Sequence, residues 1–429
     1  MDTSIFGRLE SEVRGYCRAF PTVFTRAEGT RLIDETGRSF IDFFAGAGVM
    51  NYGHGHPVIR EQLVDYLASG GPVHALDMHT GAKRTFLERF EEVVLRPRGL
   101  DYKIQFPGPT GTNAIEAALK LARKVTGRST VVAFTNGYHG VTLGALAATG
   151  NIHHRASAGV PLEHIVRLPF DGYFGPDRDT LDDFEMYLQD GSSGIEKPAA
   201  VLLETVQAEG GVNPCSDAWL QRLEAICNSH GILLIIDDIQ VGCGRTGPFF
   251  SFEPAGIQPD IICLSKSISG FGLPMALVLM KPEHDQWSPG EHNGTFRGHN
   301  LAFVTAVAAL ENFWQDDALE RAVADRAAQV TRRLEAIVER HPGFCLPSRG
   351  RGLIQGLPFT DPSAATRISK AAFEAGLLIE AVGAEDDVLK ILPPLVITEA
   401  ELDAGFDILD VAVDAVAAEL APQPATASV

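Results

Sequence analysis

Asp260 to Pro274 reads DIICLSKSISGFGLP. Asp-Ile-Ile-Cys-Leu is a short apolar run of strand type. It stops at Ser265-Lys266-Ser267, and a glycine-spaced segment, Gly270 to Pro274, follows. A continuous apolar run bounded by turn signals fits a strand buried on both faces, as in a parallel sheet. Open α/β sheets bind their ligands at the carboxyl ends of such strands, which is where Lys266 stands. A partly desolvated lysine there has a lowered pKa and can attack a carbonyl. By itself the stretch serves a surface lysine equally well.

A second stretch shifts the balance. Ile232 to Asp238 reads ILLIIDD, another buried-strand run that ends in charge. Pyridoxal phosphate needs a lysine for its aldehyde and an acid to keep its ring nitrogen protonated. Lys266 and Asp237 are such a pair, on two strands of one expected sheet. Taken alone, Asp237 reads equally well as a turn or helix cap.

Further strand ends fall in with these two. Lys103-Ile-Gln-Phe precedes Pro107 to Ala114 (PGPTGTNA), which opens a helical segment over Ile115 to Val125. Free N–H groups at a helix start, with Gly111 and Thr112 among small residues, make a phosphate site; capping by Thr110 or Thr112 is the plainer reading. Thr130 to Phe134 is a strand leading to Tyr138-His139 between glycines, an aromatic that can stack on a flat ring or simply pack in its loop. Pro198 to Glu204 is a strand ending in charge, followed by Val206, Gln207 and Glu209. Strand, helix and strand alternate through this middle third, which predicts a doubly wound, mainly parallel α/β sheet.

The flanks differ. Thr3 to Tyr16 has apolar residues at helical spacing and predicts one amphipathic helix. Phe24 to Phe43 predicts an antiparallel meander with turns at Gly29 and Gly37. His54 and His56 lie in a glycine-rich loop without a third ligand at useful spacing, so no metal is expected. Val58 to Ser69 is helical. Asn293 to Asn300 is a polar glycine loop before a helix over Leu301 to Trp314, and Glu320 to His341 predicts a long helix. Strands at Pro347 to Gly356, Leu378 to Val382 and Val388 to Leu392, then a helix over Ala400 to Leu420, predict a smaller α+β unit. The expected division is 1–58 and 325–420 for the small unit, 59–324 for the large one, and a low-complexity tail over 421–429.

Composition limits the partners. The 429 residues carry a net charge of −19, with 45% hydrophobic and 21% charged residues. An acidic globular protein argues against nucleic acid and anionic membranes. No run approaches the ~18 apolar residues of a membrane span. The start of the chain lacks a signal-peptide pattern, and six scattered cysteines without CxxC spacing read as reduced thiols of a cytoplasmic protein.

With these residues in view, the chain resembles the class III pyridoxal-phosphate aminotransferases of fold type I over about Phe6 to Leu420. Ile236 to Gln240 followed by Gly244-Arg245-Thr246-Gly247, and Leu264-Ser265-Lys266, carry the resemblance. It implies pyridoxal 5'-phosphate as cofactor and Lys266 as its Schiff-base lysine and proton shuttle. It implies Asp237 at the ring nitrogen, Gln240 near the ring hydroxyl, and Gly111 and Thr112 at the phosphate. Tyr138 would lie on the ring with His139 beside it. Thr295 matches the threonine that a neighbouring subunit lends to the phosphate, which implies a homodimer at least, with small amino-acid and oxoacid substrates.

Within the class, Phe20-Pro-Thr-Val-Phe, His74 to Met78, Arg96 to Lys103 and Asn293 to Gly298 are similar to one branch. Its members pass an amino group from glutamate to aspartate 4-semialdehyde in ectoine synthesis. Transaminases of the ornithine or 4-aminobutyrate type, and aminomutases on the same fold, remain alternatives. Two departures from the broader class stand out. Thr205 replaces the proline after Glu204, and Lys390 replaces an arginine that ornithine-type relatives use on the oxoacid carboxylate, with Glu209 as its partner.

Overall fold

A computed structural model describes residues 3–421, so the expected tail from 422 onward lies outside the described residues. The apolar runs of the middle third become one seven-stranded sheet: β1 (Lys103–Gln105), β2 (Val131–Phe134), β3 (Ile165–Leu168), β4 (Ala200–Leu203), β5 (Leu233–Asp237), β6 (Ile261–Leu264) and β7 (Leu277–Met280). Their spatial order is β1-β7-β6-β5-β4-β2-β3. β7 is antiparallel to both neighbours, and the pairs from β6 across to β3 are parallel.

The continuous hydrophobicity of these strands has a direct cause. Side chains alternate across a strand, and here both faces are covered. In β5, Leu234 and Ile236 join one hydrophobic cluster while Leu233 and Ile235 join the other. β6 divides in the same way, with Ile262 and Leu264 opposite Ile261 and Cys263. Helix α1 (Gly111–Thr126) covers the second face with Ala114, Ala118, Leu121 and Ala122. Asn113 Oδ1 accepts from Thr110 N at 3.4 Å and Thr110 Oγ1 at 2.8 Å, which closes the helix start.

The meander forms as expected from Phe24–Glu28, Arg31–Asp34 and Ser39–Asp42. Leu377–Leu378 then pairs in parallel with Ser39–Asp42, joining chain segments far apart in sequence. The expected strand over Pro347 to Gly356 is instead a hairpin, Arg349–Arg351 with Ile354–Pro358, because Gly352 turns the chain at φ +57°. The single helix expected over Thr3 to Tyr16 is two short ones, Ser4–Leu9 and Tyr16–Ala19. Phe6, Leu9 and Val13 are 45%, 70% and 89% exposed, so the periodic apolar face finds no core, and short helices gain most of their stability from packing.

Arg245 ties three parts of the chain together. It is fully buried and, among the described residues, faces no carboxylate within hydrogen-bond distance. Nη1 donates to the carbonyls of Leu353 and Pro393 at 2.9 and 2.5 Å, and Nη2 donates to Asn51 Oδ1 at 2.6 Å. Burial lowers its pKa to about 9. Arg245→Leu leaves two buried carbonyls and an amide oxygen without donors. We expect a loss of roughly 3 kcal/mol or more, read as a large drop in the thermal unfolding midpoint.

Candidate active site

The carboxyl ends of β4, β5 and β6 deliver their polar residues to one place. Lys266 stands just past β6, after Ser265, with φ +53°, a left-handed conformation that a lysine adopts only when its surroundings impose it. It opens a turn, Lys266–Ser269, in which Ser267 Oγ donates to Gly48 O at 2.6 Å. The glycine loop near residue 48 thus packs on the lysine turn. Asp237 ends β5. His139 Nδ1 lies 2.7 Å from Asp237 Oδ2 with both side chains buried, and Ile239 N donates to Asp237 Oδ1 at 3.2 Å. The next residue, Asp238, turns away to Ser251, whose backbone N donates to it at 3.1 Å. Burial pushes Asp238 up to about 7.

One cavity of about 240 Å³ is lined by Gly111, Thr112, Tyr138, His139, Glu209, Asp237, Gln240 and Lys266, together with Gly140, Val141, Glu204 and Ile239. The structure therefore brings eight of the ten candidate residues to one surface. Lys390 stands directly behind Glu209 and Gln240. Thr295 lies elsewhere, exposed on a surface turn, where its carbonyl meets His74 Nε2 at 2.6 Å.

Burial lowers the pKa of Lys266; the nearby Glu209 carboxylate opposes this and the Lys390 ammonium adds to it. Glu204 accepts from Tyr138 N at 2.9 Å and Ala208 N at 3.2 Å. Burial, then the charge of Asp237, hold Glu204 well above the usual carboxylate range.

Lys390 is completely buried. Its Nζ lies 2.7 Å from Glu209, 3.0 Å from Gln240 Oε1 and 2.9 Å from Glu380. Gln240 Nε2 also donates to Glu209 at 2.9 Å. Burial works against charge on Lys390, but the two carboxylates raise its pKa. Burial likewise works to raise Glu209, yet Lys390 and then Lys266 hold it at about 2. Glu380 goes the other way: burial pushes it up to about 7, Lys390 only partly offsets that, and the Glu209 charge adds to it. Sequence reasoning missed Glu380. Its signal was the hairpin itself, since strands Glu380–Val382 and Val388–Ile391 place Glu380 across from Lys390.

The donor set fits the cofactor that the resemblance implies. A lysine amine, an imidazole-held carboxylate, an aromatic side chain and the first-turn N–H groups of α1 share one wall of small residues. That wall tolerates no side chain: a Cβ on Gly111 would meet Ile239 at 3.0 Å, and one on Gly140 would meet Thr112 Oγ1 at 2.5 Å.

Comparison with known proteins agrees with this geometry. The model of the family "Aminotransferase class-III" matches residues 14–413, and the chain belongs to that family. It is 59% identical to the diaminobutyrate–2-oxoglutarate transaminase of Nocardia farcinica, covering 97% of this chain and 95% of that one. It is 57% identical to the transaminase of the same name from Bordetella parapertussis, covering 99% and 98%. Among solved structures, the ornithine aminotransferase of Toxoplasma gondii superposes with a TM-score of 0.83 at 26% identity, covering 97% of this chain and 95% of that one.

The raised pKa of Glu380 has a pH consequence with a definite sign. The folded state holds this proton more tightly than the unfolded state does. Ionising Glu380 therefore costs folding stability as pH rises from about 4.5 to about 7. Glu380→Gln removes that cost. The stability of the variant relative to the parent should move in the variant's favour over this interval, measured by thermal unfolding at a series of pH values.

Proposed function

We propose that this chain moves an amino group from L-glutamate to L-aspartate 4-semialdehyde, giving 2-oxoglutarate and L-2,4-diaminobutyrate. The cofactor is pyridoxal 5'-phosphate. The observation that carries the reading is the shared cavity in which Lys266 and the His139-held Asp237 meet at adjacent strand ends. The full-length relatives bear the name of this reaction.

When bound, pyridoxal phosphate supplies an aldehyde that takes up the amino group and a pyridinium ring that accepts the electron pair as a proton leaves the substrate carbon. The protein's part is to bind, orient and move that proton. Gly111, Thr112 and the α1 N-terminus take the phosphate. Tyr138 would hold the ring face, Gln240 would serve the ring hydroxyl, and Asp237 would keep the ring nitrogen protonated. His139 fixes the Asp237 carboxylate. Lys266 Nζ, with its lowered pKa, would hold the aldehyde and carry the proton between the two reacting carbons. Glu209 and Lys390 govern the substrate end, where the ion pair must open for the glutamate carboxylate and stay closed for the diamino acid.

We further place this step in ectoine synthesis, on the likeness of the quoted stretches to that branch. We place the protein in the cytoplasm, in keeping with six unpaired cysteines, five of them buried. Among the described residues no helix is long and apolar enough to cross a membrane. Residues 59–324 form the large unit in this reading, and 1–58 with 325–420 the small one; the pairing of Leu377–Leu378 with Ser39–Asp42 supports joining the two outer segments. Thr295 serves the phosphate of a second copy. Its exposure supports this, as does that of the neighbouring Phe296 and of Leu76 and Met78.

Lys266→Ala should lose the visible absorbance of the lysine-bound cofactor and roughly 10²–10⁴-fold or more in turnover. The parent holoenzyme should prefer glutamate with aspartate 4-semialdehyde over ornithine or 4-aminobutyrate as donors; the opposite preference in a donor panel would sink the substrate assignment. Light scattering of the holoenzyme should give at least a dimer, and an active monomer would exclude the role given to Thr295.

A further inference from the structure

A chain of hydroxyls runs from the Thr112 wall of the cavity to a carboxylate outside it. Thr112 Oγ1 lies 2.6 Å from Thr142 Oγ1, and Thr142 Oγ1 donates to Glu116 Oε1 at 2.6 Å. The same Glu116 oxygen accepts from Ala145 N at 3.0 Å, in the short helix Leu143–Ala148. Glu116 stands one turn after Thr112 on α1, so both side chains meet the loop that follows Tyr138. The fit there is close. A Cβ on Gly144 would run into Glu116 Oε2, and Gly140 brings its backbone against Thr112. Lys120, one turn further along α1, donates to the Glu291 carbonyl at 2.7 Å.

Counting protons gives this chain a direction. A carboxylate only accepts, and a hydroxyl has one proton to give. The Thr142 proton points at Glu116, so toward Thr112 the Thr142 oxygen acts as acceptor. The single Thr112 proton is therefore directed at Thr142, and the Thr112 oxygen turns lone pairs toward the cavity. A phosphate bound there is an anion and needs the same proton. Thr112 cannot serve both. An amide in place of the Glu116 carboxylate can reverse the direction. Its NH2 would donate to Thr142, Thr142 to Thr112, and Thr112 to the phosphate.

We propose that Glu116 is a positioning residue that limits how tightly the cofactor phosphate is held, by drawing the Thr112 proton away from it through Thr142. The step rests on the reading above that Gly111 and Thr112 take the phosphate. The first N–H groups of α1 still donate, so the phosphate is held with one donor fewer than its wall contains. The charge of Glu116 also disfavours a nearby anion, but only the hydroxyl chain makes the effect depend on Thr112 and Thr142. Thr142 is exposed, so water replaces part of any bond it loses, and the effect on affinity stays below that of a buried donor.

The test equilibrates the full chain with pyridoxamine 5'-phosphate, whose amine makes no bond to Lys266. Equilibrium dialysis gives the dissociation constant, and phosphorus NMR reads the bound phosphate. Glu116→Gln, which still accepts from Ala145 N, should bind severalfold more tightly, up to about tenfold, the worth of one hydrogen bond to a charged group. Thr142→Val keeps the Glu116 charge and removes the competing acceptor, so it should tighten binding as well. In both variants the phosphorus resonance should move from its position in the parent. Thr112→Val should loosen binding, and in that background Glu116→Gln should lose most of its gain. Unchanged or weaker binding in Glu116→Gln or in Thr142→Val, or a gain from Glu116→Gln that is as large without the Thr112 hydroxyl, would overturn the role of Glu116 and leave the phosphate wall in place. Parental affinity in Thr112→Val would take the phosphate off Thr112 and overturn both.

Discussion

The site depends on a carboxylate that ends a strand buried on both faces. Asp237 is almost wholly buried and must find its partners within the protein. It finds them in His139 and in the backbone N–H of Ile239. That requirement links β5 to the loop after β2, because His139 must arrive from the side of the sheet. The parallel order of β5, β4 and β2 makes this possible, since it puts three carboxyl ends, and the loops that leave them, on one edge. A shift of one residue in β5 would send Asp237 to the opposite face and remove the imidazole from its reach.

The second buried charge cluster follows a different logic. Lys390 has three N–H donors, and three oxygens stand within 3.0 Å, from Glu209, Glu380 and Gln240. Two ionised carboxylates on one ammonium would leave a net negative charge around a fully buried lysine. The environment divides them: Glu209, nearer to Lys266 and Gln240, stays ionised, and Glu380 holds its proton up to about neutral pH. The cluster is thereby close to neutral at rest. It also means that a substrate carboxylate displacing Glu209 would replace one anion by another and leave all three donors of Lys390 occupied. A guanidinium at this position would need a planar partner, whereas an ammonium accepts oxygens from three separate directions.

Much of this was legible in the sequence because the strands are short and wholly apolar, and each stops at a residue of a different chemical kind. Lys266 and Asp237 could be picked out from strand ends, Tyr138 and Glu209 only with the likeness to the family, and the structure gathers all four around one cavity. The small unit was less legible. Its elements showed, yet which residue faced which depended on pairings across the chain, such as Glu380 with Lys390 and Leu377 with Ile41. The helix expected near the start failed because periodicity records an apolar face and not what covers it; Leu9 and Val13 have nothing beneath them.

Two sheets divide the work of the proposed reaction: the seven-stranded one, and a small four-stranded one formed by Arg349–Arg351, Ile354–Pro358, Val388–Ile391 and Glu380–Val382. Everything assigned to the cofactor comes from the large sheet and its loops: Lys266, Asp237, His139, Tyr138 and the start of α1. The cation behind Glu209 and its second carboxylate come from the small sheet. Changing the chemistry would mean rebuilding buried strand ends on which the fold itself rests. Changing the cation and its second carboxylate would mean new side chains on one hairpin, Glu380 to Ile391. Lys390 lies on that small sheet, yet its charge reaches the large one: it pairs with Glu209 and adds to the lowering of the Lys266 pKa.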